Sequence, residues 1–332
     1  MRRVYDFPDG YHGKTKKKDF FEGWYFKLTN KDATETFACI PGVFYGKTET
    51  AHHGFLQILL GKEVGYHYLK YPTTAFSAKK EELDVKLHKS HFTKEQIHLD
   101  EQLEDGRNFR VDVRIKSPFF WAGTRLNPGS MGFFNYIPFM ECYMQTCMMR
   151  GTLTGEIHID GREIDMTGGS IYIEKNWGKS FPKAWVWIQA NKFEDQTQAI
   201  SLSCAVGKVP FCGATFSGFM IGLTINEAFY AFTTHNFSKI ELKLDQEIPK
   251  IIVWNNKYEL SIVASAPADS FILCKGPKLE GVMYPFVRET LQGQVEINLR
   301  NKKTGACIFS GRAEAAGIEL TNRELFNKSE KK

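Results

Sequence analysis

"GGSIYIEKNWGKSFPKAWVWIQANKF", Gly168 to Phe193, holds two alternating segments around a polar loop. In "SIYIE" and again in "AWVWIQAN" the residue type changes at every second position, which is the period of a β-strand. Gly178 and Pro182 shape the loop between them. The first segment ends in a crowd of Glu174, Lys175, Asn176 and Lys179 around Trp177, and adjacency suggests a Glu174–Lys175 ion pair. On the second, Trp185, Trp187, Gln189 and Asn191 fall on one face. Core packing does not require such a grouping. Aromatic walls with a few convergent polar groups are what a site for an apolar ligand needs.

The same period runs outward in both directions. "GWYFKLT", "FLQILL", "FRVDVRIK", "GTLTGEIHI", "AISLSCAV", "YELSIVAS" and "QVEINLRN" all alternate, and aromatic residues make up 14% of the chain, with 27 Phe, as strands favour. Asp160-Gly161 in "EIHIDGREIDM" predicts a two-residue hairpin turn. Helical periodicity is nearly absent; "KKEELDVKLHK" and "ELTNRELFNK" have room for a turn or two. The reading is an all-β protein of antiparallel barrel or sandwich type. A single sheet over 332 residues would curl or split, so two β units are expected. Trp185 begins an echo of the stretch around Trp24, 161 residues earlier. The join is placed in "RIKSPFFWAGTRLNPGSMGFFNYIP", Arg114 to Pro138, giving units at 1–125 and 126–332. That stretch carries five Phe or Trp residues, so it should pack against a unit instead of hanging in solvent.

Charge and cysteine content exclude several classes. The net charge of +5 is mild, and its only basic runs are "KTKKK" at Lys14 to Lys18 and the terminal "KSEKK", read as solvated tails, so no nucleic-acid partner is implied. Seven cysteines without CxxC pairing make neither a disulfide framework nor a zinc site, and a reducing compartment follows. No signal-peptide or transit pattern opens the sequence, and no apolar run reaches the roughly 18 residues of a membrane span. The chain reads as soluble and cytoplasmic. His52-His53 point to opposite strand faces, and His67, His88, His91, His98, His158 and His235 show no ligand spacing, so no metal is expected.

Two further clusters stand out. In "DFFEGWYFKL", Trp24 and Phe26 share one strand face and Tyr25 and Lys27 the other, with Glu22 just before the strand at a barrel mouth; a surface carboxylate beside a structural Trp is the simpler reading. In "FNYIPFMECYMQTCMM", Glu141 lies within an apolar strand, where a carboxyl is either bonded for structural reasons or available as a general acid.

At "FFEGWYFKLT", "GFFNYIPFMECY", "TGGSIYIEKNWGKSFPKAWVWIQANKF" and "GRAEAAGIEL" the chain resembles the tocopherol cyclase family, in the family's order and from Phe20 to about Leu320. The resemblance implies two lipocalin-like β-barrel units, akin to carotenoid hydratases and lipocalin-type Diels-Alderases, with a hydrophobic substrate held in or between the barrels. Plant and cyanobacterial members add a phenol hydroxyl across an alkene of a prenylated quinol, with no redox change and no cofactor. Protonating the alkene calls for a carboxylic acid kept neutral by apolar surroundings; Glu141, Glu22 and Glu174 are the candidates. Trp24, Trp177, Trp185 and Trp187 are candidates to face the resulting cation, and Tyr25, Lys175, Asn176, Gln189 and Asn191 to bind and orient the ligand. The implied partner is a prenylated aromatic or isoprenoid, collected through peripheral contact with a membrane. The alternative is a non-catalytic carrier of hydrophobic ligands. The chain departs from the photosynthetic members at Met144 and at Gly151, beside Arg150, where they tend to carry histidines.

Overall fold

The structure, a computed structural model, describes residues 7–138, 140–211, 214–244 and 249–326. The terminal "KSEKK" and the end of "ELTNRELFNK" lie outside the described residues. Contacts divide the chain into two units: the described residues up to Phe181 with Leu273–Phe286, and Pro182–Ile272 with the described residues from Val287 onward.

In the first unit, β1 (Phe20–Thr29), β2 (Thr36–Tyr45), β3 (His53–Leu60) and β4 (Gly65–Tyr71) form successive antiparallel hairpins. A second meander follows through β5 (Phe76–Ala78), β6 (Asp84–Leu87), β7 (Ser90–Thr93), β8 (Gln96–Gln102) and β9 (Asn108–Phe119). β10 (Cys142–Ile159), β11 (Arg162–Asp165) and β12 (Ser170–Gly178) join the two: β10 pairs with β9, β11 and β12, and β12 pairs with β1. The expected boundary at residues 125 and 126 therefore falls inside this unit, because β10 and β12 complete its sheet. The two edges of the sheet curl toward each other: a Cβ on Gly54 of β3 would sit 2.9 Å from Leu87 of β6. Trp24, Phe26, Leu28, Phe37, Phe92, Phe109 and Ile173 fill the interior, each buried side chain contributing about 1.5–3 kcal/mol.

Local chemistry explains two details. Asp160 and Gly161 both take positive φ, 48° and 82°, and Ile159 pairs with Arg162, so the two-residue hairpin forms as its sequence predicts. The stretch "KKEELDVKLHK" forms strand β6 and no helical turn, because Val85 and Leu87 alternate into the core.

In the second unit the order starts with β13 (Trp185–Ala190), β14 (Lys192–Phe193), β15 (Ile200–Phe211), β16 (Ala214–Ile225) and β17 (Ala228–Thr233). It continues through β18 (Lys239–Lys243), β19 (Lys250–Trp254), β20 (Tyr258–Ser265), the part of β22 (Val282–Asn301) from Val287 onward and β23 (Cys307–Thr321), whereas β21 (Ile272–Lys278), after its first residue, and the start of β22 are counted with the first unit. β13 lies between β15 and β23, and Val186, Ile188, Leu202, Ile221, Leu260 and Ile297 build a separate core. The echoing stretches thus sit in different units, Trp24 on β1 and Trp185 on β13. Helical turns among the described residues are short 3-10 segments, the longest at Gly132–Tyr136, and none is long and apolar enough to cross a membrane. The aromatic-rich stretch placed as a join packs on the first unit: Trp121 is buried, and Gln145 on β10 accepts a hydrogen bond from Ser130 N at 2.8 Å.

Candidate functional site

Alternation on β1 and β12 sends Glu22, Trp24, Lys175 and Trp177 to the interior of the first unit. Trp24 stands opposite Lys175 and Glu22 opposite Trp177, so Lys175 reaches Glu22 along the diagonal. Lys175 Nζ lies 2.6 Å from Glu22 Oε1, and both side chains are 0% exposed. The chain before β1 folds over the pair. Backbone N–H groups of His12 and Gly13 donate to the Glu22 carboxylate at 3.0 Å. Lys175 donates to the carbonyls of Gly10 and Pro8, the latter at 3.2 Å, and His12 Nδ1 lies 2.7 Å from Lys175 Nζ and 3.1 Å from Glu22 Oε1. The His12 ring stacks on Trp177 at 4.3 Å, and Trp177 stacks on Tyr143 at 5.3 Å. Lys175 Nζ faces both indoles, 5.0 Å from the Trp24 ring and 4.5 Å from that of Trp177, which is cation–π geometry.

This arrangement corrects the reading of Glu22 as a surface carboxylate before the strand: it is inside β1 and fully buried. Burial alone would raise its pKa, but Lys175 and then His12 reverse this and hold the carboxyl below the ordinary range. Burial holds the Lys175 ammonium below the usual lysine range, against the pull of Glu22. Glu22 is thus a buried anion locked among donors, a poor match for a neutral acid. Sequence reasoning missed His12, which precedes Glu22 by 10 residues and Lys175 by 163; no spacing rule links positions so far apart.

The opposite side of the same strands carries Tyr25, Lys27, Glu174 and Asn176. The expected Glu174–Lys175 pair does not form, since consecutive strand residues point to opposite faces. Glu174 instead accepts from Tyr172 Oη at 2.7 Å and from Asn176 Nδ2 at 3.2 Å. Glu141 stands just before β10 and not within a strand. Its Oε2 is shielded from solvent with no hydrogen-bond partner among the described residues. Burial, then Glu141 and Glu174, push the Cys142 thiol well above its ordinary range, and Cys142 Sγ lies 3.9 Å from Asn176 Oδ1. Cys142, next in the chain to Glu141, thus shares a strand face with Glu174 and Asn176 and packs against an apolar cluster containing Phe21 and Phe181.

Gly178 explains the glycine of the "KNWG" run. Its φ is +148°, and a Cβ there would meet the Glu141 carbonyl oxygen at 2.3 Å. Gly178→Ala is expected to cost about 1–3 kcal/mol of stability through backbone strain and to displace Glu141. A thermal midpoint equal to wild type would show instead that the segment before β10 yields freely.

In the second unit, Trp185, Trp187 and Gln189 share the face of β13 opposite the core, and Asn191 follows one residue beyond the strand. Trp185 Nε1 donates to Glu319 Oε2 at 2.6 Å. The expected site residues thus form three groups: Glu22, Trp24, Lys175 and Trp177; Glu141, Glu174 and Asn176, with Tyr25 on the same face as the last two; and the three on β13 with Asn191 just beyond it. Among the described residues, Glu156, His158 and Glu163 bring ligand atoms within 4.8 Å of one another on the β10–β11 hairpin. His158 Nε2 is already 2.9 Å from Glu156 Oε1, an ordinary surface contact.

The sequence model of the family described as "Tocopherol cyclase-like" matches residues 92–322. The "Tocopherol cyclase, chloroplastic" of Zea mays is 26% identical over 229 residues, 66% of this chain and 47% of that protein. The chain therefore spans about half the length of the curated relatives it matches. Among solved structures, CghA with Sch210972 aligns with a TM-score of 0.52 and 8% identity over 91% of this chain and 88% of that one. Kievitone hydratase from Nectria haematococca aligns with 0.50 and 10% over the same shares. These two similarities show the fold alone. With more than two thirds of its residues inside the matched region, the chain belongs to the tocopherol cyclase-like family.

Proposed function

We propose that this chain closes a ring in a hydrophobic substrate bearing a phenol and an isoprenoid chain, by acid-assisted addition of the phenol O–H across an alkene. The observation that carries this reading is the Glu141 Oε2 atom, shielded from water and without a protein partner among the described residues. Such an oxygen can meet a substrate without first giving up a protein hydrogen bond, as a general acid must. In the proposed step Glu141 gives a proton to the alkene, and the phenol oxygen captures the tertiary cation. The phenol proton then returns to the carboxyl pair through Glu174, so the product is an isomer of the substrate. Asn176 and Tyr25 orient the phenol. Phe21 and Phe181, edge to face at 5.3 Å, supply the apolar wall, because the Trp24 and Trp177 faces already hold Lys175.

One observation favours a carrier instead: Glu22, among the three expected acids, is saturated by donors. The deciding experiment incubates the protein with a panel of prenylated quinols and seeks, by mass spectrometry, products of unchanged mass and altered retention. A new isomer supports ring closure. Saturable tryptophan quenching with no isomer from any quinol would replace catalysis by transport.

A further inference from the structure

The lysine run of the sequence, Lys14 to Lys18, is not a free tail. Gly13, just before it, donates its backbone N–H to the buried Glu22 carboxylate at 3.0 Å, and Asp19, just after it, donates its own to the Gly46 carbonyl at 3.4 Å. Between these two ties Lys14, Lys16, Lys17 and Lys18 are all exposed. Gly46 and Lys47 also lie against the tip of the hairpin between β21 and β22. A Cβ on Gly281 would sit 3.1 Å from Lys47 N, and one on Gly46 would sit 2.9 Å from the Gly281 carbonyl oxygen. The hairpin tip is counted with the first unit, so the lysine run and the tip stand side by side on one body.

That tip is apolar and uncovered. Leu279 is 50% exposed, Val282 44% and Tyr284 53%, and Pro285 after them is exposed too. Single exposed apolar residues need no explanation, but three at one hairpin tip form the kind of patch that marks an interaction surface. The charge around it identifies what covers it. Lys278 Nζ lies 4.6 Å from the Tyr284 ring and 5.0 Å from that of Phe286. With Lys47 and the lysine run it gives the patch a basic border, which the acids of the same segments, Asp19, Glu49 and Glu280, do not balance. A bilayer with anionic headgroups suits both features together: the apolar tip enters the headgroup region while the ammonium groups stay at the phosphates.

We infer that the end of the first unit formed by Lys14 to Lys18 and the β21–β22 tip docks on an anionic membrane surface. The docking does not depend on the reaction proposed above, since a carrier and a cyclase would both collect a hydrophobic ligand there.

The test is co-sedimentation of the full chain with vesicles of phosphatidylcholine, with and without phosphatidylglycerol and free of any quinol. At low ionic strength, binding to the anionic vesicles is expected to be at least about tenfold tighter than to the neutral ones, and to fall as salt screens the lysines. Lys16→Gln, Lys17→Gln and Lys18→Gln together should remove most of that preference. Leu279→Gln with Tyr284→Gln should weaken binding to the anionic vesicles at least about tenfold at an unchanged melting temperature, because both side chains are exposed. Phe237→Gln, which alters an aromatic of the second unit that is 87% exposed, should change nothing. Binding that is absent, or equal on both kinds of vesicle, would overturn the inference. Binding lost with the lysines yet unchanged in the hairpin variant would also overturn it, by reducing the contact to adsorption through charge. A dimer in sedimentation velocity that the hairpin variant dissociates, with no vesicle binding, would assign the patch to a second copy of the chain instead.

Discussion

Lys175→Met lowers the thermal midpoint of the first unit by about 10 °C, the expected consequence of losing about 3–5 kcal/mol when one partner of a buried ion pair is removed. The Glu22 carboxylate then stays fully buried, still held by the backbone N–H groups of His12 and Gly13 but without its neutralising charge. The carbonyls of Pro8 and Gly10 lose their donor as well. The stretch from Pro8 to Gly13 should loosen with it, and limited proteolysis near the N-terminus checks that. Glu22→Gln combined with Lys175→Met is expected to recover part of the loss, because it removes the stranded charge while the amide oxygen still accepts from the two N–H groups. A Lys175→Met midpoint within a degree or two of wild type would mean that water enters the cluster and that the pair is not structural.

The same network fixes a dependence on pH. The Glu22 carboxyl has a lower pKa folded than unfolded, so the unfolded chain binds more protons in the interval between the two values. Its contribution is complete above the ordinary carboxylate pKa of 4.5 and is lost as pH falls through the folded value. In Lys175→Met the remaining dominant influence on Glu22 is burial, which raises the pKa. Acidification toward pH 4 should therefore destabilise wild type more than the variant; equal acid slopes would remove Glu22 from the account.

What the sequence disclosed follows from what is local. The alternation in "GWYFKLT" assigned Trp24 and Phe26 to one face and Tyr25 and Lys27 to the other, and Trp24 and Phe26 do lie in the core. Asp160-Gly161 was legible because a two-residue turn is specified by its own backbone preferences. The Glu22–Lys175–His12 network was not, because its members meet only after β12 returns to β1. Adjacency misled for the same reason: Glu174 and Lys175 are neighbours in the chain and stand on opposite sides of the sheet.

Glu141→Gln is expected to reduce ring closure by at least about a hundredfold, the span of a lost general acid, while quinol binding changes by no more than a few fold. The amide matches the carboxyl in shape, so packing beside Cys142 and Phe21 is preserved, but it has no transferable proton at neutral pH. Two departures from the photosynthetic members make this variant the informative one. Gly151 has no room for a histidine: a Cβ there would lie 2.8 Å from Ile115 and 3.0 Å from Ile171. Met144 fills the other position, its backbone N–H directed at Met131 Sδ at 3.2 Å. In the proposed reaction the proton passes between carboxyls, and Glu22 is held as an anion by its ion pair. Glu174 already accepts two hydrogen bonds, which suits it to receive the phenol proton, so Glu174→Gln should slow turnover less than Glu141→Gln. Undiminished turnover in Glu141→Gln, at an unchanged melting temperature, would remove it as the acid and pass that role to Glu174. Loss of turnover together with loss of quinol binding would show that Glu141 holds the substrate in place and does not protonate it.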